Sequence, residues 1–170
     1  MSLHYILDGY NITCQISTLA LKDRQNSREG LIRLVEVYKP QGSAHNRVTI
    51  VFDGKSGILS DARVSSVKVV FSENESADDK IRRIIGDSAK KKQMIVVTDD
   101  KELRFSVRAL GAEAISVADF LSKFKKQGTQ VTRGTPAKNK EDEKHISKTL
   151  EYQITSELER IWLKGDKRKE

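Results

Sequence analysis

Four short apolar runs punctuate the first hundred residues: Tyr5 to Leu7, Val48 to Phe52, Val67 to Phe71 and Met94 to Val97. They are rich in Val and Ile and lack the strict alternation of a half-exposed strand, which predicts parallel strands buried on both faces. A fifth, weaker run at Ala114 to Val117 follows Gly111 and predicts a strand at the sheet edge. Between these runs the spacing becomes helical. Ser27 is a candidate cap for a helix carrying Leu31, Val35 and Tyr38 on one face until Pro40, and Ser76 for one carrying Lys80, Ile81, Ile84 and Ile85 toward Gly86. Asp99 to Leu110 closes at Gly111, and Val117 to Phe124 makes a short last helix with Phe120, Leu121 and Phe124 apolar. The alternation predicts an α/β fold, a three-layer α/β/α sandwich around a mainly parallel, Rossmann-like sheet.

Periodicity stops after Lys126. Residues 127–140 collect Gly128, Gly134 and Pro136 among Lys and Thr, a linker composition, so the core domain is expected at 1–126 and a separate segment at 141–170. In that segment Ile146, Leu150, Ile154, Leu158 and Ile161 recur mostly every fourth residue beside Trp162, which predicts an amphipathic C-terminal helix from about Glu141 to Leu163 and a basic tail. Its stripe needs a cover: the parent sheet, a second copy of the chain in a homo-oligomer, or a larger partner.

Composition narrows the setting. The chain has 170 residues, and no apolar stretch approaches the roughly 18 to 20 that a membrane helix needs. Its N-terminus enters the first strand pattern at His4 without a signal pattern, so the expectation is a soluble, cytoplasmic protein with no membrane partner. Cys14 is the single cysteine, and His4, His45 and His145 are scattered, which offers neither a disulfide nor zinc-site spacing. The net charge is +7. Residues 1–120 hold 18 basic and 16 acidic side chains, whereas 121–170 hold 13 and 8, so the excess lies in the tail. A basic protein of this kind suits polyanions, and RNA is the first partner to consider.

The informative pattern is where acids fall relative to strands. Asp8 follows Tyr5 to Leu7, Asp53 follows Ile50 to Phe52, Asp99 and Asp100 follow Ile95 to Thr98, and Asp78 and Asp79 open a predicted helix. In an open α/β sheet the carboxyl ends of the strands share one edge, and ligands bind in the crevice there. Clustered carboxylates repel, by roughly 4 kcal/mol for two charges about 4 Å apart at an effective dielectric near 20, so a cation is expected among them. Hard divalent ions prefer carboxylate oxygen, and Mg²⁺ typically combines one or two carboxylates with waters and phosphates. The expected cofactor is therefore Mg²⁺ or Mn²⁺, and the expected chemistry is phosphodiester hydrolysis. Asn11, Ser76, Thr98 and Asp79 are candidate auxiliary residues, and Asn11 and Ser76 also suit helix caps. Tyr10 is a candidate base-stacking residue. Arg28, Arg82, Arg83, Lys90, Lys91, Lys92, Arg104 and Arg108 lie on or near the helices around the acidic loops and are candidate contacts for RNA phosphates.

Four signatures, Leu7-Asp8-Gly9-Tyr10-Asn11, Val51-Phe52-Asp53-Gly54, Ser76-Ala77-Asp78-Asp79 and Val97-Thr98-Asp99-Asp100, together resemble the NYN domain in its YacP-like branch, a relative of the PIN-domain nucleases. The stretch Gly111 to Leu121 is similar to that branch's final strand and helix, so the resemblance covers about residues 3–126. It implies a PIN-like fold, a metal-dependent endoribonuclease and a bacterial cytoplasmic setting, with single-stranded RNA, mRNA and the ribosome among the implied partners. By matched motif the catalytic acids are Asp8, Asp53, Asp78 and Asp99, with Asn11 beside them, and the metal ligands Asp8, Asp78, Asp99 and Asp100. Ser76 stands where the family usually has threonine, and the doubled acids Asp78-Asp79 and Asp99-Asp100 leave the inner ligand open, with the first of each pair preferred.

Other readings are weaker. Gly54-Lys55-Ser56 resembles the end of a P-loop, but Thr49 occupies the position of the required first glycine. Haloacid-type phosphatases need an aspartate where Tyr10 stands, and a phosphoacceptor receiver domain leaves Asp78, Asp99 and Asp100 unused. The alternative from another class is a non-catalytic RNA-binding or protein-interaction module on a nuclease-like scaffold.

Overall fold

Strand β1 (His4–Asp8) lies at the middle of the sheet, and its last four residues are buried, as its apolar run requires. A computed structural model of the chain describes residues 2–16, 19, 23–55 and 67–123. The linker and C-terminal helix expected over 127–170, and Phe124, lie outside these. Beside β1 run β2 (Arg47–Phe52) and β4 (Met94–Val97), with β3 (Val67–Phe71) and β5 (Glu113–Ile115) outside them, in the order β3-β2-β1-β4-β5. Every described pairing is parallel, with Asp8 opposite Val51 and Leu7 opposite Val97.

Alternate side chains feed two cores, one on each face. Tyr5, Leu7, Ile50, Phe52, Val69 and Val97 pack with Ile12, Leu31, Val35 and Phe120, which come from helices α1 (Gly9–Gln15), α2 (Arg24–Tyr38) and α5 (Val117–Ser122). Ile6, Val51, Met94 and Val96 pack with Ile81, Ile85, Leu103 and Val107 of α3 (Ala77–Gly86) and α4 (Lys101–Ala109). The result is the expected α/β/α sandwich.

Local chemistry corrects three boundaries. Asp23, not Ser27, caps α2, its carboxylate accepting from the Asn26 N–H at 2.9 Å. Ser27 is buried one turn inside, with its hydroxyl 2.6 Å from the Leu19 carbonyl and 2.9 Å from that of Asp23. The last strand ends at Ile115, because Ser116 caps α5 and Val117 is already helical. Helix α1 starts directly after β1, with Asp8 as its cap. The chain can turn this tightly only because residue 9 has no side chain: a Cβ there would lie 2.4 Å from the Phe52 ring and 2.9 Å from the Val51 carbonyl. Gly9→Ala is therefore expected to destabilise the fold by roughly 2 to 3 kcal/mol, through overpacking against a ring that is itself fully enclosed. A urea melt that moves by less than about 0.5 kcal/mol would show that Phe52 can yield.

After β3 the chain returns across the sheet to place β4 on the other side of β1. The reversal opens a crevice beyond the carboxyl ends of β1 and β4, where ligands bind in sheets of this kind.

Candidate active site

Asp8 stands at this crevice, 8 % exposed. One carboxylate oxygen accepts from the Asn11 N–H at 3.2 Å, as the cap of α1, and the other from the Thr98 hydroxyl at 3.1 Å. Thr98, fully buried after β4, in turn accepts from the Asp100 N–H at 3.1 Å. The Asn11 side-chain oxygen accepts from the Asp99 N–H at 2.9 Å. Asn11 and Thr98 thus stitch the end of β1 to the turn after β4.

Burial pushes the Asp8 carboxyl up from 3.8 to about 6, against the pull of the Asn11 and Thr98 hydrogen bonds and with the help of the Asp78 and Asp100 charges. Asp78 is also raised, first by burial and then by Asp100, with Arg82 pulling the other way. The charges of Asp78 and Asp100 therefore both bear on Asp8, and that of Asp100 bears on Asp78. The carboxylate of Asp100 caps α4 through the Leu103 N–H at 2.8 Å.

The remaining acids are drawn elsewhere. Asp79 is tied to the N-cap Ser76, whose hydroxyl donates to its carboxylate at 2.7 Å and accepts from its N–H at 3.1 Å, and it pairs with Arg82 at 2.8 Å. The Ser76 and Arg82 bonds hold Asp79 below the usual carboxylate range. Of the first doubled pair, then, Asp78 is the one whose charge bears on Asp8. In the second pair it is the charge of Asp100 that bears on Asp8 and Asp78. Asp99 accepts from the Gln15 amide with one oxygen and from the Val117 N–H at 3.1 Å with the other, so it ties α1 to the start of α5. Asp53 is exposed and turns toward β3, accepting from the Ser72 hydroxyl at 2.7 Å. Three of the predicted acids meet in charge, and Asp53, Asp79 and Asp99 are engaged by other partners. Gln15 and the buried Ser72 were not anticipated, since an isolated Gln or Ser in sequence carries no mark of a partner 84 or 19 positions away.

Among the described residues no group of three or more His, Cys, Asp or Glu side chains is placed to hold a metal ion directly. The donor set nonetheless suits a hard divalent ion that keeps most of its waters, which needs only one or two carboxylates. Asp8, Asp78 and Asp100 are anionic groups whose mutual repulsion a cation relieves.

The expected cations divide into three groups. Arg82 lies across Asp78 (3.9 Å) and Asp79, and Arg83 and Lys80 pair with Glu75, so the charges nearest the acids are already neutralised. Arg28 donates to the Tyr10 hydroxyl at 2.6 Å and the Asp53 carbonyl at 3.2 Å, with its guanidinium over the rings of Tyr10, Phe52 and Phe71. Tyr10 is held between Arg28 and the edge of Phe52 and does not stand free as a stacking platform. Arg104 lies midway along α4, and Arg108, near its far end, donates to the Ala114 carbonyl at 3.2 Å. Lys90, Lys91 and Lys92 precede β4, at the opposite end of the strand from Asp99 and Asp100. They do not flank the acids, contrary to the expectation from sequence, because the strand separates the two in space.

Residues 5–162 match the family described as the YacP-like NYN domain. No curated protein matches the chain. Two similar crystal structures are of Rae1 (YacP) from Bacillus subtilis. A mutant form is 27 % identical, with a TM-score of 0.58 over 74 % of this chain and 76 % of that one. The other is 22 % identical, with a TM-score of 0.61 over 98 % and 84 %, a likeness of fold.

Proposed function

The chain belongs to the YacP-like NYN domain family, whose members carry a ribonuclease-like function, and on that premise we propose a divalent-metal-dependent endoribonuclease acting through Asp8, Asp78 and Asp100. The observation that carries this reading is the electrostatic meeting of three carboxylates from separate parts of the chain at the switch point of the sheet, with Asp8 pushed up to about 6. A bound Mg²⁺ or Mn²⁺ would supply charge neutralisation and an acidified water. One or two of Asp8, Asp78 and Asp100 would hold it, with the remaining charge acting through its waters. Thr98 and Asn11 fix the Asp8 oxygens in place, and α4 fixes Asp100 through its cap, so the carboxylates are oriented before any substrate arrives. At neutral pH a carboxyl with a pKa near 6 is already mostly ionised, and an approaching cation offsets the cost of burying that charge. The substrate is RNA, with mRNA, including mRNA on ribosomes, as the class the family suggests. No helix among the described residues is long and apolar enough to cross a membrane.

The second reading, RNA binding without cleavage, is favoured by the absence of three directly ligating side chains among the described residues. An end-labelled single-stranded RNA incubated with the full chain separates the two. Internal cuts that appear with Mn²⁺ or Mg²⁺ and stop with EDTA support the nuclease, whereas retention of intact RNA under every divalent ion supports the binding module.

A further inference from the structure

The amino edge of the sheet carries charge of the opposite sign. Lys90 to Lys92 line an open concavity of about 550 Å³ together with Ser88, Gln93 and Gly111. None of the three lysines makes an ion pair among the described residues, although Asp87 and Glu113 are exposed nearby in the chain. Farther along the same edge Arg47 and Lys68, on the two strands to one side of His4, join burial in lowering its pKa to about 4, burial acting first. An RNA approaching the carboxyl edge meets Asp8, Asp78 and Asp100, while Arg82, Arg83 and Lys80 are already spent on acids. Arg28, Lys55 and Lys101 make no ion pair at that edge among the described residues, but the run of three adjacent unpaired lysines lies across the domain.

We propose that the Lys90-Lys91-Lys92 concavity is a second RNA contact, which grips phosphodiester backbone away from the bond being cut. The proposal rests on RNA being the substrate, but not on its being cleaved. The concavity admits a chain of phosphates, three adjacent ammonium groups match their charge, and none of these lysines has to give up a carboxylate partner. The two edges are separated by β4 and its flanking turns, roughly 20 Å at about 3.3 Å per residue. At about 3.4 Å per stacked nucleotide, a stacked strand of about six nucleotides covers that straight-line distance.

The competing explanation is local. Helices α3 and α4 both end at this edge, where lysines also complement the helix dipole. The test is the full chain carrying Lys90→Gln, Lys91→Gln and Lys92→Gln together, with binding to fluorescein-labelled single-stranded RNAs of 4 and 20 nucleotides read by anisotropy in EDTA over a salt series. For the 20-mer the affinity is expected to fall about tenfold or more, and the salt slope by about 2, given ~0.7 per phosphate contact on single strands. The 4-mer is expected to bind weakly to both proteins, with little difference between them. Unchanged affinity and slope for the 20-mer, with or without a lower melting temperature, overturn the proposal and leave the lysines to the helix ends. If the protein cleaves, KM for the 20-mer should rise with kcat unchanged; a fall in kcat alone places the lysines in the cleavage site and also overturns it. Loss of salt-dependent binding in a protein that never cuts RNA still supports the contact while the nuclease reading fails.

Discussion

Asp8→Asn is expected to lower RNA cleavage by about a thousandfold or more while making the metal-free protein more stable at pH 7.5. The two effects share one cause. The native fold holds the Asp8 carboxyl at about 6 instead of 3.8, mainly by burial, so the folded chain keeps a proton that the unfolded chain releases between those values. Stability from this group is fully present below pH 3.8, declines as pH rises and is lost above 6. At about 1.4 kcal/mol per factor of ten, ionised Asp8 costs the fold on the order of 3 kcal/mol at neutral pH. Asparagine is neutral throughout and its one side-chain oxygen still accepts from the Asn11 N–H as a helix cap, while its NH2 takes the place of the second oxygen and donates to the Thr98 hydroxyl, reversing that bond. Melting in EDTA should therefore rise by ~5 °C at pH 7.5 and by nearly nothing at pH 4. The catalytic loss follows from removing a charge that positions the reactive centre. A variant that melts lower than wild type at pH 7.5, or that cuts RNA at a normal rate, would show that Asp8 is a structural acid.

The second large effect separates Asp100 from Asp99. Asp100→Asn keeps an N-cap acceptor for the Leu103 N–H and removes one of the charges that raise Asp8 and Asp78. It should melt normally and lose cleavage by about a hundredfold or more. Asp99→Ala should do the reverse. It removes the acceptor for Gln15 and for the Val117 N–H, at a cost of roughly 1 to 3 kcal/mol, and it leaves the charge of the crevice in place. Cleavage by the surviving folded protein should stay within about tenfold. If Asp99→Ala kills turnover without affecting the melt, and Asp100→Asn does neither, then the roles of the doubled acids are the other way round.

The sheet was legible because its strands are buried on both faces: runs such as Ile50-Val51-Phe52 and Ile95-Val96-Val97 need no partner to be recognised. The edge on which acids gather followed from strand direction alone. What sequence could not decide was where each acid's oxygens turn. Ser76 and Asp79 share a capping-box spacing that removes Asp79 from the crevice, and this was readable in principle. The engagement of Asp99 depends on Gln15 and Val117, from two helices that meet only when the sheet is assembled. The short helix after β1 is hard to read in sequence because its first residue is Gly9, a poor helix former that is there because a side chain would strike the Phe52 ring. The lysines before β4 looked adjacent to the acids in sequence and stand at the other end of the strand.

The central claim is that Asp8, Asp78 and Asp100 act as one anionic site for a divalent ion. Calorimetric titration of Mn²⁺ into the full chain tests it most directly. The account predicts saturable binding at pH 7.5, weaker binding at pH 5.5 with proton release, because the ion must displace the proton on Asp8, and loss of the signal in both Asp8→Asn and Asp100→Asn. Saturable binding that is untouched by either substitution, or no binding at either pH, would contradict it.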